Sequence, residues 1–446
     1  MPEHKKINTK INFGSQPFKK YLANTSWLFG EKAFRLVIGF FINIYVIRYL
    51  GPSQFGLLSY AISFVMLFSA IAALGLDNIV VRDLVKESEK RNELLGSAFF
   101  LRLIGAVISL LLIALGVVLT SESSYNIILI SIIAVSSIFQ AFNVIDFYFQ
   151  STVKIKYSVY VRTFAFIIPT VIKLFLIIYK YELIYFAIVT SLENILMSIG
   201  FIVVYQFNKL KIFQWQVTKS RALQLLKDSW PLILSGLVIS IYMKIDQIMI
   251  KKMLTDTEVG LYAAAVKISE AWYFIPLSIS SSLFPAIINA KKNSEILYLN
   301  RLQKLYDLLA GIAIAISVPV TFWAGDIINI LLGVKYLPAA SVMTIYIWAG
   351  VAVFLSVASS QFLVSENLTK VAFLRSFIGM IINVILNLIF IPSMGIVGSA
   401  WATLFSYTIA TLSIGFSNKT GNHFIMIIKS FFLINLIKEF YRFFKK

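Results

Sequence analysis

Lys244 and Asp246 stand inside an apolar run that starts at Trp230-Pro231 and includes "YMKIDQIMI" at 242–250. A charged side chain near the middle of a membrane-spanning helix costs about 2.5–3.5 kcal/mol on insertion scales, so each of the two needs a reason to be there. At about 100° per residue, Ser240, Lys244, Gln247 and Lys251 fall within about 60° of one another and make a polar stripe. Asp246 lies about 160° from Lys244, on the side of Tyr242 and Ser235, so the two cannot simply neutralise each other. Lys244 is read as facing a cavity, and Asp246 as holding a neighbouring helix or a coupling ion. The competing reading is that both snorkel to the outer interface.

Other runs raise the same question. Arg162 and Lys173 share a helix face with Pro169, about 16 Å apart along the axis. Arg35 and Arg102 lie close to the middle of their segments. Ala98, Gly105, Ala106 and Ser109 around Arg102 form a small-residue face that equally permits close helix packing. Glu31 and Arg35 are four apart in the favourable order, and Lys267 and Glu270 share a face. Glu193 is the deepest carboxylate, with Thr190 nearby, and needs a cationic partner, an ion or a proton. Asp146 and Arg375 lie nearer one surface, where structural roles are expected.

The elements that position these groups are membrane spans. The chain has 446 residues, 59% hydrophobic and 14% charged, whereas soluble domains carry about 25% charge. That composition points to an all-α polytopic membrane protein rather than a large soluble enzyme. The absence of cysteine removes disulfides and thiolate sites, and the two histidines, His4 and His423, lie near the ends. A histidine-centred active site, a metal cluster and a phosphate-binding Gly-rich Lys-Ser/Thr loop are therefore not expected, and no cofactor is implied. A net charge of +19 reads as basic cytoplasmic loops, not as a nucleic-acid partner. The opening "MPEHKKINTKINFGSQPFKK" lacks the apolar core and cleavage site of a signal peptide.

Apolar segments of spanning length recur about twelve times, near 28–47, 55–76, 94–119, 125–149, 158–179, 183–206, 230–250, 259–288, 305–332, 340–364, 371–391 and 395–416. Pro276 and Pro285 predict a kink or tilt in the eighth. Alternate connections, with both ends of the chain, hold 27 Lys and Arg against 5 in the others, which puts both termini in the cytoplasm. The tail 424–446 mixes an apolar face with spaced cations and reads as an interfacial amphipathic helix on anionic lipid rather than a thirteenth span.

"LGPSQFGL" (50–57) and "LTDTEVGL" (254–261) match at an offset of 204 residues, with Leu50, Gly56 and Leu57 aligned to Leu254, Gly260 and Leu261. Six spans separate the copies, the pattern of two parallel six-helix halves. The expected organisation is 1–206, a linker 207–229, 230–416, and a cytoplasmic tail 417–446. "RYLGPSQFGLLSYAISF" (48–64), "GLDNIVVRDL" (75–84), "EVGLYAAAVKISEAWYFIPLSISSSLFPAI" (258–287) and "IPSMGIVGSAWATLFSYTIA" (391–410) together resemble the Wzx-type O-antigen and polysaccharide flippases. That family belongs to the multidrug/oligosaccharidyl-lipid/polysaccharide exporter superfamily.

The resemblance implies two six-helix bundles around a central cavity in the bacterial inner membrane. It also implies a substrate, an undecaprenyl-pyrophosphate-linked oligosaccharide, with membrane lipids and assembly partners such as a polysaccharide polymerase and a chain-length regulator. A dianionic pyrophosphate crossing a membrane needs successive cationic stations, because desolvating it uncompensated is prohibitive. Arg35, Arg102, Arg162, Lys173 and Lys244 are the candidates to contact it or an acidic sugar. Glu193, Asp246 and Glu270 are the candidates for ion coupling. A cation-coupled drug antiporter of the same superfamily would favour carboxylates, yet the spans hold eight cations against seven carboxylates. A peptidoglycan-precursor flippase would usually bring two further helices. A membrane-surface glycosyltransferase or polymerase fails on loop length and on the lack of an acidic pair.

Overall fold

The computed structural model of the chain describes residues 16–292 and 294–435, so the last part of the expected amphipathic tail lies outside the described residues. Among the described residues the regular elements are all helices. The first half comprises α1 (Gln16–Leu67), α2 (Ser69–Ala73), α3 (Asp77–Lys86), α4 (Arg91–Leu119), α5 (Ser124–Val135), α6 (Val144–Ser151), α7 (Ile155–Ile178) and α8 (Leu183–Phe207). The second comprises α9 (Lys219–Met253), α10 (Asp256–Glu270), α11 (Phe274–Lys291), α12 (Glu295–Leu332), α13 (Ala339–Ser365) and α14 (Thr369–Leu412), followed by α15 (Gly421–Phe431).

Ten helical stretches of the described chain are long and apolar enough to cross a membrane. Two of them are each divided at a glycine of positive φ, α1 at Gly51 (φ 69°) and α14 at Gly395 (φ 60°), which makes twelve spans. A left-handed residue reverses the chain within one position, and glycine takes that conformation without a Cβ clash. The connection expected at 48–54 therefore shrinks to a sharp break, with Pro52 starting the next helix in the position that proline favours. The second copy of the repeat starts its helix by other means. Thr255 and Glu258 form a reciprocal capping box at the head of α10.

Four spans are interrupted, the ninth by a kink at Trp323 (φ −106°, ψ 15°) in α12. The second leaves the helix after Leu67 and again at Leu74–Gly75, both with positive φ, which sends Asp77 to the start of α3. The eighth turns 3-10 at Ala271–Tyr273, just ahead of Pro276, whose missing N–H and ring disturb the preceding turn. The fourth was expected to run unbroken over 125–149. It instead winds as a 3-10 segment through Ser136–Asn143, with neither Pro nor Gly to mark it. Ser136 and Ser137 donate back to the carbonyls of Ile133 and Ala134 at 2.7 and 2.6 Å, which competes with regular helix. Ser198 and Arg102 then satisfy the carbonyls of Phe139 and Gln140.

Among the described residues, polar contacts between connections join segments that alternation puts on one side. Arg221 pairs with Glu87, and Lys291 with Glu366, on the face that carries α3 and α15. On the opposite face Lys252 pairs with Glu122, Tyr49 donates to the carbonyl of Tyr181, and Tyr336 donates to that of Ile47. The segment expected as a linker is not free. Gln216 donates to the Asn92 carbonyl and Thr218 to Glu93, and helix already begins at Lys219.

The two repeat copies pack against each other. A Cβ on Gly56 would lie 1.8 Å from the Asp256 carbonyl oxygen, and one on Gly260 would lie 1.8 Å from that of Pro52. Pro52 and Asp256 are themselves equivalent positions of the repeat, so the contact is reciprocal. The pattern that repeats in sequence is thus the pivot where α1 meets α10.

α15 has eleven residues, far short of the length needed to cross a bilayer. It packs on α12 and buries His423, Ile427 and Ser430 while Lys429 stays exposed.

Candidate functional site

Where α1, α7 and α8 face α9 and α10, a cavity of about 540 Å³ opens between the halves. Arg35, Lys173, Lys244 and Lys267 line it, against two carboxylates, Glu193 and Glu270. Asn43, Ser59, Ser63, Thr190 and Gln247 add neutral hydrogen-bonding groups, and Phe166 and Phe186 add rings. The formal balance is cationic between low-dielectric walls, where charge acts at longer range than in bulk solvent.

Each charged group arrives by helix periodicity. The polar stripe of α9 faces the first half: Ser240 lies 3.3 Å from Ser69, and Gln247 accepts a hydrogen bond from Ser63 at 2.9 Å. Lys244 lies between them and enters the cavity. Lys173 comes from the last third of α7, and Lys267 and Glu270 from one face at the end of α10.

Arg35 is the one cavity cation that is paired. It donates to Glu193 at 2.6 Å and sits 3.5 Å from Glu31, with its guanidinium 5.2 Å from the Phe166 ring centre. Glu193 thereby gains the cationic partner its depth required. Among the described residues, Lys173, Lys244 and Lys267 make no hydrogen bond or ion pair.

Asp246 points the other way, as its helical angle predicts, into the core of the second half. It is 4% exposed and accepts from Tyr262, Thr403 and Asn387, each at 2.8 Å. No cation pairs with it among the described residues. Asn387 Oδ1 and Ser399 Oγ nearby are buried without hydrogen-bond partners, so oxygens converge on a carboxylate that has only neutral donors. Tyr262 packs edge-on against Tyr346, whose hydroxyl donates to Glu270 at 2.9 Å. The buried carboxylate and the cavity wall are thus two packed tyrosines apart.

Of the five cations expected as successive stations, the structure brings Arg35, Lys173 and Lys244 to this cavity but not Arg102 and Arg162. They line a separate pocket of about 300 Å³ with Asp77, Asn143 and Asp146. Arg102 pairs with Asp77 and donates to the Gln140 carbonyl at 3.1 Å, with its guanidinium 4.9 Å from the Phe147 ring. Arg162 pairs with Asp146. The breaks in spans two and four deliver those acids, and the length of α7 puts Arg162 and Lys173 in different chambers. Arg375, read as structural, is buried and donates to Ser359 and Ser360.

Sequence reasoning missed Lys267 as a cavity group, because Glu270 one turn away looked like its neutralising partner. It also missed Tyr262, Asn387 and Thr403 around Asp246. Polar residues among the apolar positions of spans eleven and twelve were the signal available for the last two.

Comparison with known proteins builds on this geometry. A family model described as "Polysaccharide biosynthesis protein" matches residues 21–291, more than half of the chain. The chain belongs to that family. A second model, MatE, matches residues 231–389. The probable flippase AglR of Haloferax volcanii is 28% identical over 182 residues, which are 38% of this chain and 37% of that protein. The probable low-salt glycan biosynthesis flippase Agl15 of the same organism is 24% identical over 176 residues, 38% of this chain and 36% of that protein. The chain thus spans little more than a third of the length of the curated relatives it matches.

Solved structures share the fold across nearly the whole chain. The lipid II flippase MurJ in an inward closed conformation superposes with a TM-score of 0.67 at 19% identity, covering 93% of each chain. An inward-facing multidrug resistance MATE family transporter gives 0.65 at 13% identity, covering 91% and 95%. An outward-facing form gives 0.54 at 13% identity, covering 91% and 98%. The family member described here has the exporter-superfamily fold, two six-helix bundles around a central cavity.

Proposed function

We propose that the chain is a flippase that carries an undecaprenyl-pyrophosphate-linked oligosaccharide, an O-antigen or related repeat unit, from the cytoplasmic to the periplasmic leaflet. The observation that carries this reading is the central cavity, where three unpaired ammonium groups drawn from both halves surround one space. An empty site of that kind is electrostatically unfinished, and a diphosphate completes it. Lys173 belongs to the first half, Lys244 and Lys267 to the second, so one bound diphosphate bridges the halves. Glu193 holds Arg35 in place until a phosphate competes for it. The family and the glycan flippases among the relatives support the same substrate class.

The 27-to-5 distribution of basic residues supports a cytoplasmic position for the face with α3 and α15 and for both termini, and the family resemblance implies a bacterial inner membrane. Residues 1–206 and 230–416 form the two moving units, and 207–229 joins them while staying on the first. The opposite, periplasmic face is closed by the Gly56–Gly260 contact and the Lys252–Glu122 pair, as an inward-facing state requires. A polysaccharide polymerase and a chain-length regulator receive the product beyond it.

Ion coupling acts through Asp246. Its oxygens, with those of Asn387, Thr403 and Ser399, suit a proton or a small monovalent cation. Asp246 and Lys244 lie two residues apart on α9, so movement of that helix on ion binding also moves the cavity cation. The drug-antiporter reading is weaker, because four cations line the cavity against two carboxylates.

Deleting the gene tests the reading directly. The lipid-linked oligosaccharide should accumulate in the cytoplasmic leaflet, and surface glycan should return with the wild-type chain but not with Lys173→Gln/Lys244→Gln. Normal surface glycan in the deletion strain would reject the proposal.

A further inference from the structure

α15 lies across the first turns of α12, and together they enclose a cleft of about 830 Å³ that shares no lining residue with the central cavity. Asp307 is the only acid lining it among the described residues. Neutral donors occupy that acid: Ser430 at 2.6 Å and Gln303 at 2.9 Å on one oxygen, and Asn435 at 3.1 Å on the other. Arg301, Lys304 and Lys429 line the same cleft, and none pairs with a carboxylate among the described residues. Arg301 makes one hydrogen bond, to the Ala286 carbonyl at 3.1 Å. Three cations without a carboxylate partner around one satisfied acid leave a positive field that no acid among the described residues answers.

The level of the cleft and its rim narrow the ligand. α12 has 38 residues, about 57 Å of helix against a hydrocarbon layer of about 30 Å. Its far end meets the opposite-face connections through Tyr336, so the excess length projects on the side of α15. The cleft therefore sits at head-group level. Leu297 and Ile425 line it, and Ile296 and Phe432 beside it are 73% and 65% exposed. A cationic pocket with an apolar rim fits an amphiphile, not a soluble anion.

We propose that the cleft between α12 and α15 binds the phosphate head of an anionic phospholipid, and that the bound lipid clamps α15 to the bundle. The proposal depends on the chain spanning a membrane and is independent of what the central cavity carries.

Native mass spectrometry of the purified full chain, titrated with dioleoylphosphatidylglycerol or dioleoylphosphatidylcholine, tests it. The wild type should retain phosphatidylglycerol with at least about a tenfold preference. Lys304→Gln/Lys429→Gln should lose that preference, and both side chains are exposed, so the fold should not suffer. Lys244→Gln in the central cavity should keep it. Equal retention of the two lipids, an unchanged preference in the double variant, or its loss in Lys244→Gln would overturn the proposal. Displacement of the lipid by millimolar inorganic phosphate would overturn it too, by making the site one for a soluble anion.

Discussion

Lys244 and Asp246 do different work because about 160° of helix separates them, and that angle is readable from spacing alone. The same arithmetic, with depth in the span, singled out Arg35, Lys173, Glu193 and Glu270, all of which line the cavity. It singled out Arg102 and Arg162 as well, but these line a separate pocket, because their partners arrive through breaks in other spans, which no count along their own helices reveals. Arg102 is 5% exposed and hydrogen-bonded to Asp77 and to the Gln140 carbonyl. Arg102→Ala should therefore lower stability by about 1.5–3 kcal/mol, the usual worth of buried hydrogen bonds to a charged group, while transport per folded molecule changes little. Thermal unfolding and transport normalised to folded protein measure the two parts. Asp246→Asn keeps the shape of the side chain and removes its charge. Transport by that variant should lose its dependence on the ion gradient, which proteoliposomes with and without an imposed gradient will show.

At the scale of elements, the positions of most helices follow from apolar run lengths, and α3 with the first turns of α9 follows only from the structure. Their joint is electrostatic. Hydrogen bonds from Arg221 and then Lys90 hold the Glu87 carboxyl down at about 2, below its ordinary 4.5. A lowered carboxylate stabilises the fold above its unfolded value and loses that contribution as pH falls through its folded value. The wild type should accordingly lose thermal stability between about pH 4.5 and pH 2, and Glu87→Gln should lose less over that window. Parallel melting curves across this range in detergent give the comparison. The 3-10 stretch of span four was illegible for a related reason. Its serines are weak breakers alone, and the interruption persists because Ser198 and Arg102, from two other helices, accept the cost of its freed carbonyls.

For the whole molecule, the eight-residue repeat was visible as a pattern and its meaning was not. Leu-Gly matches 204 residues apart say that two loops are equivalent; only packing says that they touch. Gly260→Ala would set a Cβ against the Pro52 carbonyl and should wedge the halves apart on that face. In this cysteine-free chain, a cysteine replacing Ser59 in the cavity should then react several-fold faster with an impermeant maleimide from outside. An unchanged rate in a stable variant would deny the contact its closing role. The account as a whole rests on the cavity's free ammonium groups meeting a diphosphate. Its most direct test is the rate at which proteoliposomes flip an undecaprenyl-pyrophosphate-linked oligosaccharide, with wild type set beside Lys173→Gln/Lys244→Gln/Lys267→Gln. The wild type should flip it well above protein-free vesicles, and the triple variant, melting at a similar temperature, should fall to the protein-free rate. Flipping by the folded triple variant at the wild-type rate would contradict the account.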